Sequence, residues 1–388
     1  MKNEQQGTVI DCKERITADE CGAGDNEHTE VSLCPVNSHN EWDPLEEVIV
    51  GNIENSAFSL GSPQDRCVYS QQELDEFTRL YSCSQPYPEE VVQRAEKALD
   101  EFIHILKSEG VIVKQVEPHN SNTDFSTPSW YSPSGFSVAS PRDPFLIIGN
   151  EILEAPTSSR DRFLESFAYK KLFKEYFMAG AKWTSAPKPQ LLDDLYDKTY
   201  KEHLQEKKGV FCLTEFEPVF DAADFVRCGR DIFGQLSNVT NKMGVEWLRR
   251  HLGDTYKVHL IDNLDPKAWH IDTVFMPLAP GKVLINPEYI DINSLPDILN
   301  SWDILTAPQP VPYRVQPKVM SNWISINTLM LDEQRIIVEK RQAPLIAALK
   351  NWGFEPIPCS FEDYYPFLGG FHCATLDVRR RGTLQSYF

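Results

Sequence analysis

Asp143-Pro144-Phe145-Leu146-Ile147-Ile148-Gly149-Asn150-Glu151-Ile152-Leu153-Glu154 is the stretch on which the fold turns. An acid heads four apolar residues, Gly149-Asn150 supplies a two-residue turn, and an apolar strand returns, a pattern that predicts a β-hairpin. The same order recurs at Asp224–Phe233, Asp272–Ile285 and Asn327–Val338. Unequal spacing between these units points to insertions in a degenerate repeat, which suits blades around an axis better than a solenoid of fixed period. Leu45-Glu46-Glu47-Val48-Ile49-Val50-Gly51 reads as a buried strand and fits a fifth unit whose hairpin is not evident. In such a ring the polar residues heading successive inner strands would converge at one centre. Asp and Asn are also ordinary strand-edge and turn residues, and pattern alone weighs the two readings equally.

Between the hairpins the chain reads as helix followed by strand. Pro88-Glu89-Glu90 opens a helix whose apolar stripe is Val91, Ala95, Leu99, Phe102, Ile103 and Leu106, and Gly110 closes it before the strand Val111–Val116. Helices are also expected from Arg160 to Met178, from Val239 to Leu252 and from Ala343 to Trp352, each followed within two residues by glycine. Residues 52–86 show no period and are expected to form an irregular loop over a site. Residues 1–33 are polar and acidic and are expected to be a disordered tail, with one α/β domain over 34–388.

Composition narrows the function classes. The 388 residues exceed what one simple core holds, and a net charge of −19 argues against nucleic acid or an anionic membrane as partner. A negative field would instead attract a cationic small molecule. No apolar run reaches the length of a membrane span and the opening Met1-Lys2-Asn3-Glu4 is no signal peptide, so a cytoplasmic location is expected. The nine cysteines show neither CxxC pairs nor zinc spacing, which makes disulfides and structural metal unexpected.

One cysteine stands apart. In Gly369-Gly370-Phe371-His372-Cys373, followed by Arg379-Arg380-Arg381, a glycine pair permits close backbone approach and the arginines supply positive charge. Cys373 is the candidate nucleophile, since a thiol attacks only as thiolate and nearby cations, a histidine or a bound cationic substrate would favour that form. A lone cysteine is more often a buried core residue. Two further segments shift the balance. In His270-Ile271-Asp272 the imidazole and carboxylate at i and i+2 would share one face of a strand, and Thr214–Asp224 sets acids among aromatics with no balancing cation before Arg227. With Asp143 and Asp221 these residues offer a nucleophile, an acid/base and an anionic wall.

These residues carry a family resemblance. Asn40–Gly51, Pro141-Arg142-Asp143, Ala186–Pro189, Phe220–Asp224, His270-Ile271-Asp272 and Phe371-His372-Cys373 through Tyr387 resemble the arginine:glycine amidinotransferase family, from about Cys34 onward. Within it the chain is most similar to the cyanobacterial enzymes of saxitoxin and cylindrospermopsin biosynthesis. The resemblance implies a pentein-like, five-bladed pseudosymmetric α/β propeller. It implies Cys373 as nucleophile, His270 as general acid/base, Asp221 as its orienting carboxylate, Asp143 and Asp272 as acids that hold a guanidinium, and Ser321 as a substrate-binding residue. The implied chemistry moves the amidino group of L-arginine onto Cys373 and then to a primary amine, releasing L-ornithine by ping-pong kinetics. No metal or organic cofactor has a role in that scheme.

Three departures from the glycine-using pattern concern the substrates. Tyr289 stands where glycine enzymes carry an arginine that grips the donor carboxylate, and it offers one hydrogen bond and no charge. Lys267, Ala268 and Trp269 replace a different and smaller set beside His270, and the glycine run before Phe371 is one residue shorter. A larger acceptor than glycine is expected, such as an amine-bearing polyketide intermediate. Rival readings are a glycine, lysine or inosamine-phosphate amidinotransferase, a deiminase-type hydrolase using water as acceptor, and a catalytically silent binding propeller. A homodimer is one oligomeric state compatible with the sequence.

Overall fold

The computed structural model describes residues 34–60, 62–203, 209–316, 318 and 320–388; the tail expected over 1–33 lies outside these. Among the described residues the first strand is β1 (Leu45–Val50), and the chain then runs through α1 (Pro63–Val68), α2 (Gln71–Leu80) and α3 (Glu89–Ser108) into β2 (Ile112–Gln115), which pairs parallel with β1. The second unit is the hairpin β3 (Phe145–Ile148) and β4 (Glu151–Glu154), followed by α4 (Lys170–Met178) and β5 (Lys182–Ser185) parallel to β4. The third repeats this with β6 (Phe225–Cys228), β7 (Asp231–Gly234), α5 (Lys242–Leu252) and β8 (Lys257–Leu260).

In the fourth unit β9 (Phe275–Ala279) and β10 (Lys282–Ile285) are joined to the parallel β11 (Asp303–Thr306) by short helical turns in place of an α-helix. The fifth contains β12 (Leu329–Met330), β13 (Arg335–Glu339), α6 (Ala343–Asn351) and β14 (Glu355–Cys359). Finally β15 (Thr375–Arg380) returns to lie antiparallel beside β1, with Val50 opposite Thr375 and Leu45 opposite Arg380. Five three-stranded sheets result, and the fold is the five-bladed α/β propeller of the penteins. The hairpin missing from the sequence reading is this closure, whose two strands lie at opposite ends of the described chain.

Helical crossovers bury one stripe each. On α3, Val91, Ala95, Ala98, Leu99, Phe102 and Leu106 face the core, and each large apolar side chain so buried contributes roughly 1.5–3 kcal/mol. Two sequence expectations need correction. Residues 52–86 are not irregular: Ser70 and Glu73 form a reciprocal cap at the start of α2, with Ser70 N–H on Glu73 Oε2 at 2.9 Å and Glu73 N–H on Ser70 Oγ at 3.3 Å. Only Phe77 of α2 is buried, which is why no apolar stripe announced the helix. The helix expected from Arg160 opens as short turns and becomes α-helical only at Lys170. There Arg162 bends back so that Nε and Nη2 donate to Glu165 at 2.6 and 3.0 Å, a local clamp that replaces regular helix.

Candidate active site

The inner strands of the five blades are β3, β6, β9, β12 and β15, and the residues just ahead of them meet around Cys373. Glycines permit the approach. A Cβ on Gly370 would lie 2.6 Å from Asn327 Oδ1, and one on Gly369 would lie 2.8 Å from Ser140 Oγ. Asn327, ahead of β12, organises the loop. Its Oδ1 accepts the backbone N–H groups of His372 and Cys373 at 3.0 and 3.1 Å, and its Nδ2 donates to Cys373 Sγ at 3.2 Å.

Two acids and one imidazole stand beside the sulfur, and a third acid backs the imidazole. Sγ donates to Asp272 Oδ2 at 3.2 Å. Sγ, a His270 ring nitrogen and an Asp143 carboxylate oxygen all lie within 4.8 Å of one another. His270 Nε2 stands 3.2 Å from Asp221 Oδ2, while its Nδ1 is 3.6 Å from Asp143 Oδ1. Arg162 donates to Asp143 Oδ2 at 2.8 Å and lies 3.8 Å from Asp221 Oδ2, tying both acids to the turn before α4. One oxygen of each acid, Oδ1 of Asp143, Asp221 and Asp272, is buried without a hydrogen-bond partner among the described residues. Buried carboxylate oxygens left unmet are acceptors waiting for an N–H donor.

The electrostatics are those of a thiol at rest. Burial and the Asp272 carboxylate push Cys373 up to about 12, against a smaller opposing pull from His270. Burial also works against charge on His270, but Asp143 and Asp221 outweigh it and hold its pKa well above 6.5. Burial raises Asp143 as well, against the pull of His270 and Arg162. The positive field expected from the three arginines does not reach the sulfur: Arg379 and Arg381 both turn to Glu46, and Arg380 donates to Asp377 at 2.7 Å.

Cys373 opens on a cavity of about 410 Å³. Asp143, Arg162 and His270 line its floor, and Tyr289, Lys318 and Ser321 line another stretch of wall. Asp221 and Asp272 stand behind His270 and the sulfur and do not line it. Ser321 caps a short turn, with its Oγ accepting from Trp323 N–H at 3.3 Å. Trp269 stacks on Tyr69, ring centroids 6.5 Å apart, and Lys267 pairs with Glu73 of α2 above the Tyr69 ring. The segment that the sequence left as a loop thus supplies Phe58, Tyr69 and Phe77 to the cavity wall.

A second layer beneath the sulfur escaped the sequence reading. His372 directs Nδ1 to Asp272 Oδ2 at 2.8 Å and Nε2 to Glu41 Oε2 at 3.2 Å. Glu41 is gripped by Arg227 through Nε and Nη2, both at 2.8 Å, and Arg142 donates to Asp377 at 2.6 Å and to the His372 carbonyl at 2.8 Å. In the sequence Asn327 stands only as a hairpin head, and His372 only as a neighbour of Cys373. Arg162 carried no signal beyond its place in an expected helix.

No family model matches the chain. It is 46% identical over 361 residues to L-arginine:L-lysine amidinotransferase of Pseudomonas savastanoi pv. phaseolicola, a match covering 92% of this chain and 98% of that protein. Among solved structures it is similar to SxtG, an amidinotransferase from Microseira wollei in the saxitoxin biosynthetic pathway, with 58% identity and a TM-score of 0.89 over 92% of this chain and all of that one. It is also similar to inosamine-phosphate amidinotransferase of Streptomyces griseus, with 38% identity and a TM-score of 0.80 over 91% of this chain and 99% of that one.

Proposed function

This chain belongs to the amidinotransferase family, and on that premise we propose that it takes the amidino group of L-arginine onto Cys373 and passes it to a primary amine larger than glycine, releasing L-ornithine. The observation that carries the reading is a buried thiol on a cavity wall with Asp143 and Asp272 beside it, each keeping one carboxylate oxygen without a hydrogen-bond partner among the described residues. A guanidinium is planar and cationic, and it brings N–H donors to meet such oxygens in charge-assisted pairs. Asp143 would take one edge of it from the cavity floor, and Asp272 Oδ1 would take a donor reaching past the sulfur.

Arrival of that cation is what releases the thiol proton. Burial and the Asp272 carboxylate favour the protonated thiol at Cys373, and a positive charge against the sulfur opposes both and sends the proton to solvent. Sγ then attacks the guanidinium carbon, forming a C–S bond and a tetrahedral adduct. His270, charged at rest, gives its proton to the departing nitrogen as the C–N bond breaks, so ornithine leaves as an amine and amidino-Cys373 remains. An acceptor amine attacks the same carbon and gives a proton to His270, and the C–S bond breaks to release the new guanidinium and a thiolate, which regains its proton from solvent as that cation leaves.

Substrate reach follows from the walls. Ser321 and Tyr289, with Lys318 beside them, offer hydroxyls and an ammonium for the donor carboxylate. Phe58, Tyr69, Phe77 and Trp269 give an apolar side suited to a carbon chain, which supports an amine-bearing polyketide intermediate of a saxitoxin-type guanidinium toxin as acceptor. Intact mass after incubation with arginine alone should show one added amidino group, mapped to Cys373, and a screen of amines should then favour long-chain amines over glycine and lysine. Strong preference for glycine or lysine overturns the acceptor assignment. Citrulline formed without an added amine identifies a hydrolase instead.

A further inference from the structure

A thiolate at Cys373 faces a second anion, because the sulfur lies 3.2 Å from Asp272 Oδ2. When the thiol loses its proton it also loses that hydrogen bond, and two negative atoms remain in contact in a site where Asp272 is fully buried. The same oxygen receives His372 Nδ1 at 2.8 Å, and the opposite nitrogen of that ring meets Glu41 Oε2 at 3.2 Å. Neither carboxylate brings a hydrogen: Glu41 already accepts from Arg227, and its pKa lies well below the ordinary value, where burial is outweighed by Arg227 and His372. An imidazole that donates to two carboxylates at once carries both ring hydrogens and with them one positive charge.

We propose that His372 is a positioning residue whose buried positive charge neutralises Asp272 and so allows Cys373 to exist as a thiolate beside it. His372 is buried, 2% exposed, and is absent from the cavity lining, so it acts through Asp272 and not on substrate. The layer beneath the sulfur contains the carboxylates of Glu41, Asp272 and Asp377 and the guanidiniums of Arg142, Arg227 and Arg380. Those charges cancel. The imidazolium leaves one positive charge over, which is what a thiolate needs. The other groups facing Cys373 are His270, Asp143, Asn327 and Tyr364, and those facing His372 are Asp272, Glu41 and Arg142.

This inference rests on Cys373 being the nucleophile of the proposed reaction, and its test needs no arginine, so the two fail separately. The rate of iodoacetamide modification of Cys373, read by peptide mass on the full chain between pH 7 and 9, reports the thiolate fraction. His372→Gln keeps one donor to Asp272 and removes the charge, and it should react about tenfold or more slowly at each pH. Asp272→Asn removes the opposing anion and should react faster than the unaltered protein. In the double variant the His372 effect should vanish, leaving a rate within about threefold of Asp272→Asn. An unchanged rate in His372→Gln, or an equal slowing with Asp272 already removed, overturns the proposal. If His372→Gln does not fold, Asp272→Asn decides alone, and a rate no faster than that of the unaltered protein sinks it.

Discussion

Asn327 offers a perturbation that separates holding the Cys373 loop from assisting the proposed nucleophile. In Asn327→Ala the backbone N–H groups of His372 and Cys373, bonded to Asn327 Oδ1 at 3.0 and 3.1 Å, lose their acceptor inside a buried loop. Each buried donor left unmet costs about 1–3 kcal/mol, so the variant should lose roughly 2–6 kcal/mol. An unfolding entropy near 2.1 cal/mol/K per residue over a body of roughly 350 residues gives about 0.7 kcal/mol/K, so melting should fall by about 3–8 °C in one cooperative transition. Asn327→Asp keeps the acceptor oxygen but removes the Nδ2 donor that lies 3.2 Å from Sγ. A hydrogen bond to a charged atom is worth about 1.5–3 kcal/mol, and the new carboxylate opposes a thiolate as Asp272 does, so amidino-enzyme should form at least roughly 10–100-fold more slowly. Calorimetry reads the first effect and stopped-time intact mass the second. An Ala variant melting with the unaltered protein, or an Asp variant loading at full rate, refutes the division of labour.

Asp221→Asn should slow loading by about 10²–10⁴-fold, and because removing an acid lowers the pKa of His270, the basic limb of its kcat/KM profile should move to lower pH. The raised His270 value also stabilises the fold at low pH and ceases to do so as pH rises through it, so the melting advantage over Asp221→Asn should shrink toward alkaline pH. Arg162→Met strands Asp143 and Glu165 without their buried cation and should cost about 3–5 kcal/mol in urea unfolding; a loss below about 1 kcal/mol would show that the clamp is not what holds Asp143. Glu73→Gln cuts the half-exposed tie to Lys267, so stability should change by no more than about 1 kcal/mol while the KM for a long-chain amine moves and that for arginine does not.

Four hairpins were legible because each is local: an apolar run, a turn and a return strand within about a dozen residues. The fifth was illegible for the opposite reason, since Leu45 and Arg380 pair across nearly the whole described chain and nothing in either segment names the other. α2 shows no apolar stripe because Phe77 is its single buried residue, although Ser70 and Glu73 spell its cap in the sequence, and α1, which buries Gln64, Asp65, Cys67 and Val68, is six residues long and too short to display a period. Among site residues, types and order pointed to Cys373, His270 and the acids. Their environment did not follow from neighbours in sequence: Arg379 and Arg381 sit close to Cys373 along the chain yet face Glu46, while the charges beneath the sulfur come from Glu41, Arg142 and Arg227. A buried cation far away in sequence leaves no local trace.

The seam between β1 and β15 has a consequence for birth order on the ribosome. Cys373 and β15 follow every other strand in the sequence, and domains tend to assemble from the N-terminal side as they are made. Until that last stretch emerges, β1 shows a bare flank to any passing strand and the acids ahead of β3, β6 and β9 enclose no sulfur. On the proposed mechanism a nascent copy is therefore chemically mute, and the step that shields its sticky flank is the same step that arms it.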